Sequence, residues 1–247
     1  MIIALCNQKG GVSKTTSTIC LGGLLAESAK VLLIDLDPQG NLTTGLGIEV
    51  EDDQLTTYEV ITEQCSTAAA IAPTNIKNLD ILPADITLAK GETEILGKVG
   101  NFCLLKEQLE SILDQYDHIL IDCPPSLGLL TINALTVADH VLVPVQCQFF
   151  ALKGLAALLE TIESVKKRLN PNIDILGVLP TMFEQTVMGR DVITSLEKRF
   201  GKSLVFPAVP KSVRFAESNL AGEPIHIYAN DHKLIYPYKS IIKAMEA

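Results

Sequence analysis

The chain has 247 residues, 47% hydrophobic and 20% charged, which excludes a disordered or low-complexity scaffold and is enough for a core covered on both sides. Its formal net charge of −9 counts against a general nucleic-acid binder. The acidity is uneven, however: residues 1–181 carry 11 Lys and Arg against 22 Asp and Glu, and residues 182–247 carry 9 against 7.

Met1 is followed directly by Ile-Ile-Ala-Leu-Cys, with no basic n-region and no small-residue cleavage motif, so no secretory signal is expected. Polar residues interrupt even Leu127–Val145, leaving no apolar run long enough for a bilayer. The six cysteines are scattered without a C-x-x-C pair and read as buried, reduced thiols. A cytoplasmic protein is the expectation.

In chain order the pattern predicts a strand at Ile2–Cys6, a helix from about Lys14 to Ser28, and a strand at Val31–Asp35. A strand at Ile81–Pro83 precedes a helical stretch ending near Gln115. Strands at His118–Asp122, His140–Val145 and Ile173–Leu179 follow, with helices at Leu152–Leu169 and Val187–Phe200. Val31–Asp35 and His118–Asp122 are apolar almost throughout rather than alternating, as strands are when both faces are covered. The fold class is therefore α/β, a doubly wound, mostly parallel sheet flanked by helices, in one domain spanning 1–247.

Such a sheet takes its ligand outside the carboxyl ends of its strands. Three of those ends here are polar or glycine-rich, at residues 7–11, 35–40 and 122–126. Residues 7–17 fail the pattern G-x-x-x-x-G-K-[ST], because Gln8 and Ser13 stand at its two glycine positions. The physical requirements of a phosphate loop are still met. Gly10 and Gly11 let backbone N–H groups approach phosphate oxygens, and a helix N-terminus begins near Ser13. Lys14 can reach the β- and γ-phosphates, Thr15 can ligate Mg²⁺, and Asp122 closes a neighbouring strand where a carboxylate can hold the ion or its water. Asp35 and Asp37 end another strand two residues apart, hence on one face. Nucleotide binding is the expected chemistry.

These segments, with Val143–Gln146 and Ser212–Ser218, resemble the ParA/MinD-type deviant Walker ATPases, close to the Soj-like partition ATPases, over nearly the whole chain. The resemblance implies a P-loop NTPase that binds ATP and Mg²⁺, forms a nucleotide-sandwich homodimer, and hydrolyses ATP slowly until a ParB-like or McdB-like adaptor stimulates it. It also implies binding to nonspecific double-stranded DNA on the nucleoid, to position a carboxysome, plasmid or chromosome. By the same resemblance Gly10, Gly11, Val12, Ser13, Lys14, Thr15 and Thr16 hold the nucleotide, Lys9 reaches the partner's phosphates, Asp37 positions the attacking water, and Thr15 with Asp122 holds the metal. Met182 and Pro207 match the walls around the base, and Asp35 is structural or outer-shell.

Two departures stand out. Ser13 replaces the usual glycine, resembling the carboxysome-positioning McdA branch; serine suits a helix start, although a side chain restricts the turn. Lys153 stands where relatives commonly have Glu, and is expected near the dimer interface, contacting phosphate beside or instead of Lys9. Arg190, Lys198, Arg199, Lys202, Lys211 and Arg214 are the candidates for DNA phosphate contact, with Arg214 first and a Glu217 ion pair as its alternative role. A MinD-like membrane switch and a metabolic ATP-dependent enzyme on the same fold are the competing readings. The C-terminal segment from Lys233 contains a proline and ends without a basic apolar extension, so it is expected to pack on the body rather than on lipid.

Overall fold

A computed structural model describes residues 1–148 and 154–246. Seven strands, β1 (Ile2–Leu5), β2 (Val31–Asp35), β3 (Ala72–Pro73), β4 (Leu79–Leu82), β5 (His118–Asp122), β6 (His140–Gln146) and β7 (Asp174–Thr181), form one sheet in the order β3-β4-β2-β5-β1-β6-β7. Every pairing is parallel except β3 with β4. The helices are α1 (Lys14–Leu25), α2 (Asn41–Gly45), α3 (Thr57–Ile61), α4 (Thr67–Ala70), α5 (Leu88–Ile95), α6 (Leu104–Leu109), α7 (Leu129–Val137), α8 (Leu155–Arg168), α9 (Val187–Phe200), α10 (Arg214–Leu220), α11 (Ile225–Tyr228) and α12 (His232–Met245).

The expected α/β architecture is present, with the antiparallel edge strand β3 in addition. Alternate residues of β1 and β2 feed two separate cores. Ile2, Ala4, Leu32 and Ile34 pack under α5 to α9, and Ile3, Leu5, Val31 and Leu33 pack under α1, α11 and α12. Because both faces are dry, the strands read as continuous apolar runs. The outer side of β7 is covered by residues 204–210, through Phe206 N–H to Val178 O (2.9 Å) and Val209 N–H to Pro180 O (2.8 Å). Among the described residues no helix is long and apolar enough to cross a membrane. Leu234, Ile235, Tyr238 and Ile241 of α12 are buried, so its apolar side belongs to the core.

Helix α1 fixes the site to the body. It is buried along most of its length, and glycines let it lie flush: a Cβ on Gly22 would sit 2.6 Å from Leu33, and one on Gly23 would sit 2.5 Å from the rigid ring of Pro224. Alanine in a helix is intrinsically favoured over glycine by about 1 kcal/mol, whereas overpacking costs about 1–3 kcal/mol. Gly23→Ala is therefore expected to lower the unfolding free energy by about 1 kcal/mol in urea titration, the reverse of the propensity trend.

Candidate functional site

Adjacency of β2, β5 and β1 brings three strand ends together: Asp35 is in register with Asp122, and Asp122 with Leu5. Residues 6–13 then curl into a loop that enters α1. Asn7 shapes its entrance, donating from Nδ2 to Pro144 O (2.7 Å) and accepting from Lys9 N–H at Oδ1 (3.0 Å). Thr181 at the end of β7 donates to Val12 O (3.0 Å). Gly11 and Ser13 both take left-handed backbone, with φ of 69° and 66°. Ser13 does stand at the start of α1, in the N-cap position, but its side chain makes no capping hydrogen bond among the described residues and its backbone adopts a conformation that favours glycine.

Beyond the loop lies a cavity of about 600 Å³ lined by residues 10–16, Asp37, Gln39, Asn41, Thr44, Gly45, Pro125, Met182, Ala216, Asn219 and Leu220. Lys14, only 7% exposed, lines it, and its ammonium has no hydrogen-bond or salt-bridge partner among the described residues. Thr15 Oγ1 donates to Asp122 Oδ2 (2.6 Å), while Asp122 Oδ1 is buried with no partner among the described residues. Burial first, then the nearby Asp35 charge, pushes the Asp122 carboxyl up to about 8, against the lowering pull of the Thr15 hydrogen bond and Lys14. An orphaned buried oxygen on a destabilised carboxylate, beside a hydroxyl, fits a hard divalent cation or a water bound to it.

Asp35 serves the scaffold. Its Oδ2 accepts from Thr43 N–H (2.9 Å) and Thr43 Oγ1 (2.8 Å), its Oδ1 accepts from Asp37 N–H (3.2 Å), and burial lifts it to about 6. Asp37 keeps one oxygen on Gln39 N–H (3.0 Å) and lines the cavity.

Lys9 is not in the lining; its ammonium donates to Gln146 Oε1 (2.9 Å) and Gln148 Oε1 (3.4 Å) at the end of β6. Pro207 is also absent from the lining and sits in the segment hydrogen-bonded along β7. Helix α10 adds Ala216, Asn219 and Leu220 to the lining, and their i, i+3, i+4 spacing forms one helix face. Lys153 lies outside the described residues.

Residues 1–175 match the AAA domain family AAA_31. The sporulation initiation inhibitor protein Soj of Bacillus subtilis is 46% identical over 229 residues, covering 92% of this chain and 90% of Soj. The chain belongs to the ParA/MinD-type ATPase family. The structure of an ATP complex of a Cyanothece McdA variant superposes with a TM-score of 0.92 at 27% identity, over 99% of this chain and 96% of that one. A Mycobacterium smegmatis structure named cobyrinic acid a,c-diamide synthase, with a bound ATP analogue and magnesium, gives 0.87 at 36% identity over 99% and 93%.

On this ParA-type ATPase the six basic residues proposed for DNA are spread from the cavity end of the sheet to its far end. Helix α9 leaves the carboxyl end of β7, so Arg190 lies toward the cavity and Lys198 and Arg199 lie about 12–14 Å further along the axis. Arg199 borders a groove beside Asp174, the first residue of β7, at the far end of the sheet, and Lys202 follows it. Lys211 is paired with Glu184 (3.1 Å) and Arg214 with Glu217 (3.4 Å), all of them exposed. Exposed pairs of this kind hold their charges weakly, so both cations can be drawn to another anion.

The α10 wall escapes a reading of the amino-acid sequence. The motif at 212–218 reaches only Ala216, and the signal for Asn219 and Leu220 is their helical spacing from it.

The left-handed turn and the buried carboxyl of this ParA-type site each have a measurable effect on stability. Replacing Ser13 by Gly removes a left-handed non-glycine residue and is expected to raise unfolding free energy by about 1 kcal/mol in urea titration. For Asp122, the folded carboxyl keeps a proton up to about pH 8 that the unfolded chain releases near 3.8, so this group destabilises the fold progressively as pH rises between those values. Without nucleotide or Mg²⁺, Asp122→Asn is expected to exceed the wild type in stability at pH 8, the gap closing toward pH 4.

Proposed function

We propose that this ParA-type ATPase binds ATP with Mg²⁺, closes into a nucleotide-sandwich homodimer, and holds nonspecific double-stranded DNA in that state. It hydrolyses ATP slowly until a ParB-like or McdB-like adaptor accelerates the step, and so positions a cargo on the nucleoid. One observation carries the reading: the nearly buried Lys14 faces the cavity without an anionic partner, next to Thr15, whose hydroxyl already meets Asp122.

In this reading the backbone of Gly10, Gly11, Val12 and Ser13 cradles the phosphates, Lys14 neutralises the β- and γ-oxygens, and Thr16 contacts the α-phosphate. Thr15 and Asp122 would hold Mg²⁺, which would supply neutralisation of the phosphate charge. Asp37 orients the attacking water, and Lys9 of each copy reaches the nucleotide of the other. Lys153 is proposed to add to that contact. Met182 and the α10 face border the base. Catalysis is placement and electrostatics, because phosphoryl transfer needs little covalent help from the protein.

Arg190, Lys211 and Arg214, on the cavity end of the molecule, are the favoured DNA contacts; a two-fold dimer presents each of them twice. Lys198, Arg199 and Lys202 are less favoured for lying at the other end. The likeness to a structure named for cobyrinic acid a,c-diamide synthase supports a second reading, an ATP-dependent metabolic enzyme. ATP hydrolysis that responds to DNA and adaptor without a small-molecule acceptor separates the two.

The deciding experiment is binding to random-sequence duplex DNA with ATP, ADP or no nucleotide across a salt series. The expected result is binding with ATP alone, falling steeply with salt. Arg190→Ala or Arg214→Ala is expected to weaken it and to flatten the salt slope by about 1 for each phosphate no longer neutralised, with Lys198→Ala and Lys202→Ala close to wild type. Lys14→Ala is expected to lose nucleotide altogether, whereas Lys9→Ala keeps ADP binding and loses ATP-dependent dimerisation. DNA binding that ignores nucleotide, or none under dimer-forming conditions, overturns the reading.

A further inference from the structure

The Lys9 side chain is held on its own chain rather than left in solvent. Its backbone N–H is tied to Asn7, and Asn7 to Pro144 of β6 (3.0 and 2.7 Å). Its ammonium then reaches the side-chain carbonyl of Gln146 at 2.9 Å, with Gln148 as a longer second acceptor at 3.4 Å. The other end of the Gln146 amide donates from Nε2 to Met182 Sδ at 3.1 Å. The orientation of this amide is unambiguous: an ammonium can only donate and a thioether can only accept, so the oxygen faces Lys9 and the nitrogen faces Met182.

Gln146 therefore spans two parts of the molecule. Met182 lines the nucleotide cavity, on a left-handed backbone with φ of 50°, while Lys9 stays out of that lining. The backbone of Gln146 is fixed by its register with Thr181, the residue before Met182. The two contacts share one rigid planar group, so a rotation of the amide that breaks one also disturbs the other.

We propose that Gln146 is a positioning residue: it docks Lys9 at the end of β6 in the free protein and releases it when a ligand fills the cavity against Met182. The coupling rests on the reading of that cavity as a nucleotide site; the docking does not. A neutral amide has the right strength for this role. A charge-assisted hydrogen bond to a carbonyl restrains the lysine, yet yields to the far larger charge of a triphosphate. A carboxylate at the same place would trap it.

The test is competitive acylation of lysines, read by mass spectrometry, with exposed Lys77 as internal reference and thermal unfolding as a check on each variant. Relative to Lys77, Lys9 is expected to react at least threefold faster in Gln146→Leu than in the wild type, and slower than wild type in Gln146→Glu. Saturating ADP is expected to raise the wild-type Lys9 rate toward that of Gln146→Leu and to leave Gln146→Leu unchanged. Met182→Leu, which keeps an apolar wall but removes the sulfur acceptor, is expected to fall between them. Equal Lys9 rates in wild type, Gln146→Leu and Gln146→Glu overturn the docking. An unchanged or lower rate in protein shown by calorimetry to be ADP-saturated overturns the coupling. A protein that binds no ADP overturns the nucleotide reading instead, while the comparison of wild type with the Gln146 variants still decides the docking.

Discussion

Asp122 is a carboxylate set in a wholly buried position at the end of a central strand, and the surrounding structure is arranged around the cost of keeping it there. Its register partner Asp35 adds to that cost, because three hydrogen bonds from Thr43 and Asp37 favour a charge on Asp35 beside it. Asp122 receives one, from Thr15, and retains an oxygen with nothing to accept. Two acids side by side thus have different fates, one completed within the fold and one left incomplete. A buried group short of a partner is a standing demand for a cation, and the unpartnered Lys14 close by is the matching demand for an anion.

Strain is placed in the same few residues. Gly11 bears the left-handed turn at little cost, Ser13 bears it against its own Cβ, and Met182 does so on the opposite wall. A helix packed as tightly as α1 cannot shift to relieve them, since Gly22 and Gly23 already bring it into contact with Leu33 and Pro224. The loop is consequently rigid at both ends, and its amide groups are preorganised for a ligand.

Much of this was legible in the amino-acid sequence, for identifiable reasons. Val31–Asp35 and His118–Asp122 announced a covered parallel sheet because neither face could tolerate an unpaired polar residue. The phosphate loop was legible because its functional groups are contiguous, so chain order preserves what space requires. The short helices α2, α3 and α4 were not, being too brief to show a period, and α7 is buried around most of its circumference, polar residues included, and so carries no amphipathic signal. The two-residue strand β3 includes Pro73, a residue that strands accept only at an edge. At the site, the α10 wall escaped because it comes from a segment far along the chain from the phosphate loop. The left-handed turn at Ser13 is a property of φ alone and leaves no compositional trace.

Both margins of the sheet are partly shielded. On one side a proline-bearing strand of two residues runs antiparallel to its neighbour, and on the other a stretch around Phe206 lies along β7 and occupies the carbonyls of Val178 and Pro180. An α/β protein with an open margin is exposed to growing sideways, strand upon strand, into fibres or amorphous deposits at high local concentration. A protein shielded in this way is less open to that hazard when crowded, and its assembly falls more to side-chain contacts, which charge and occupancy can undo.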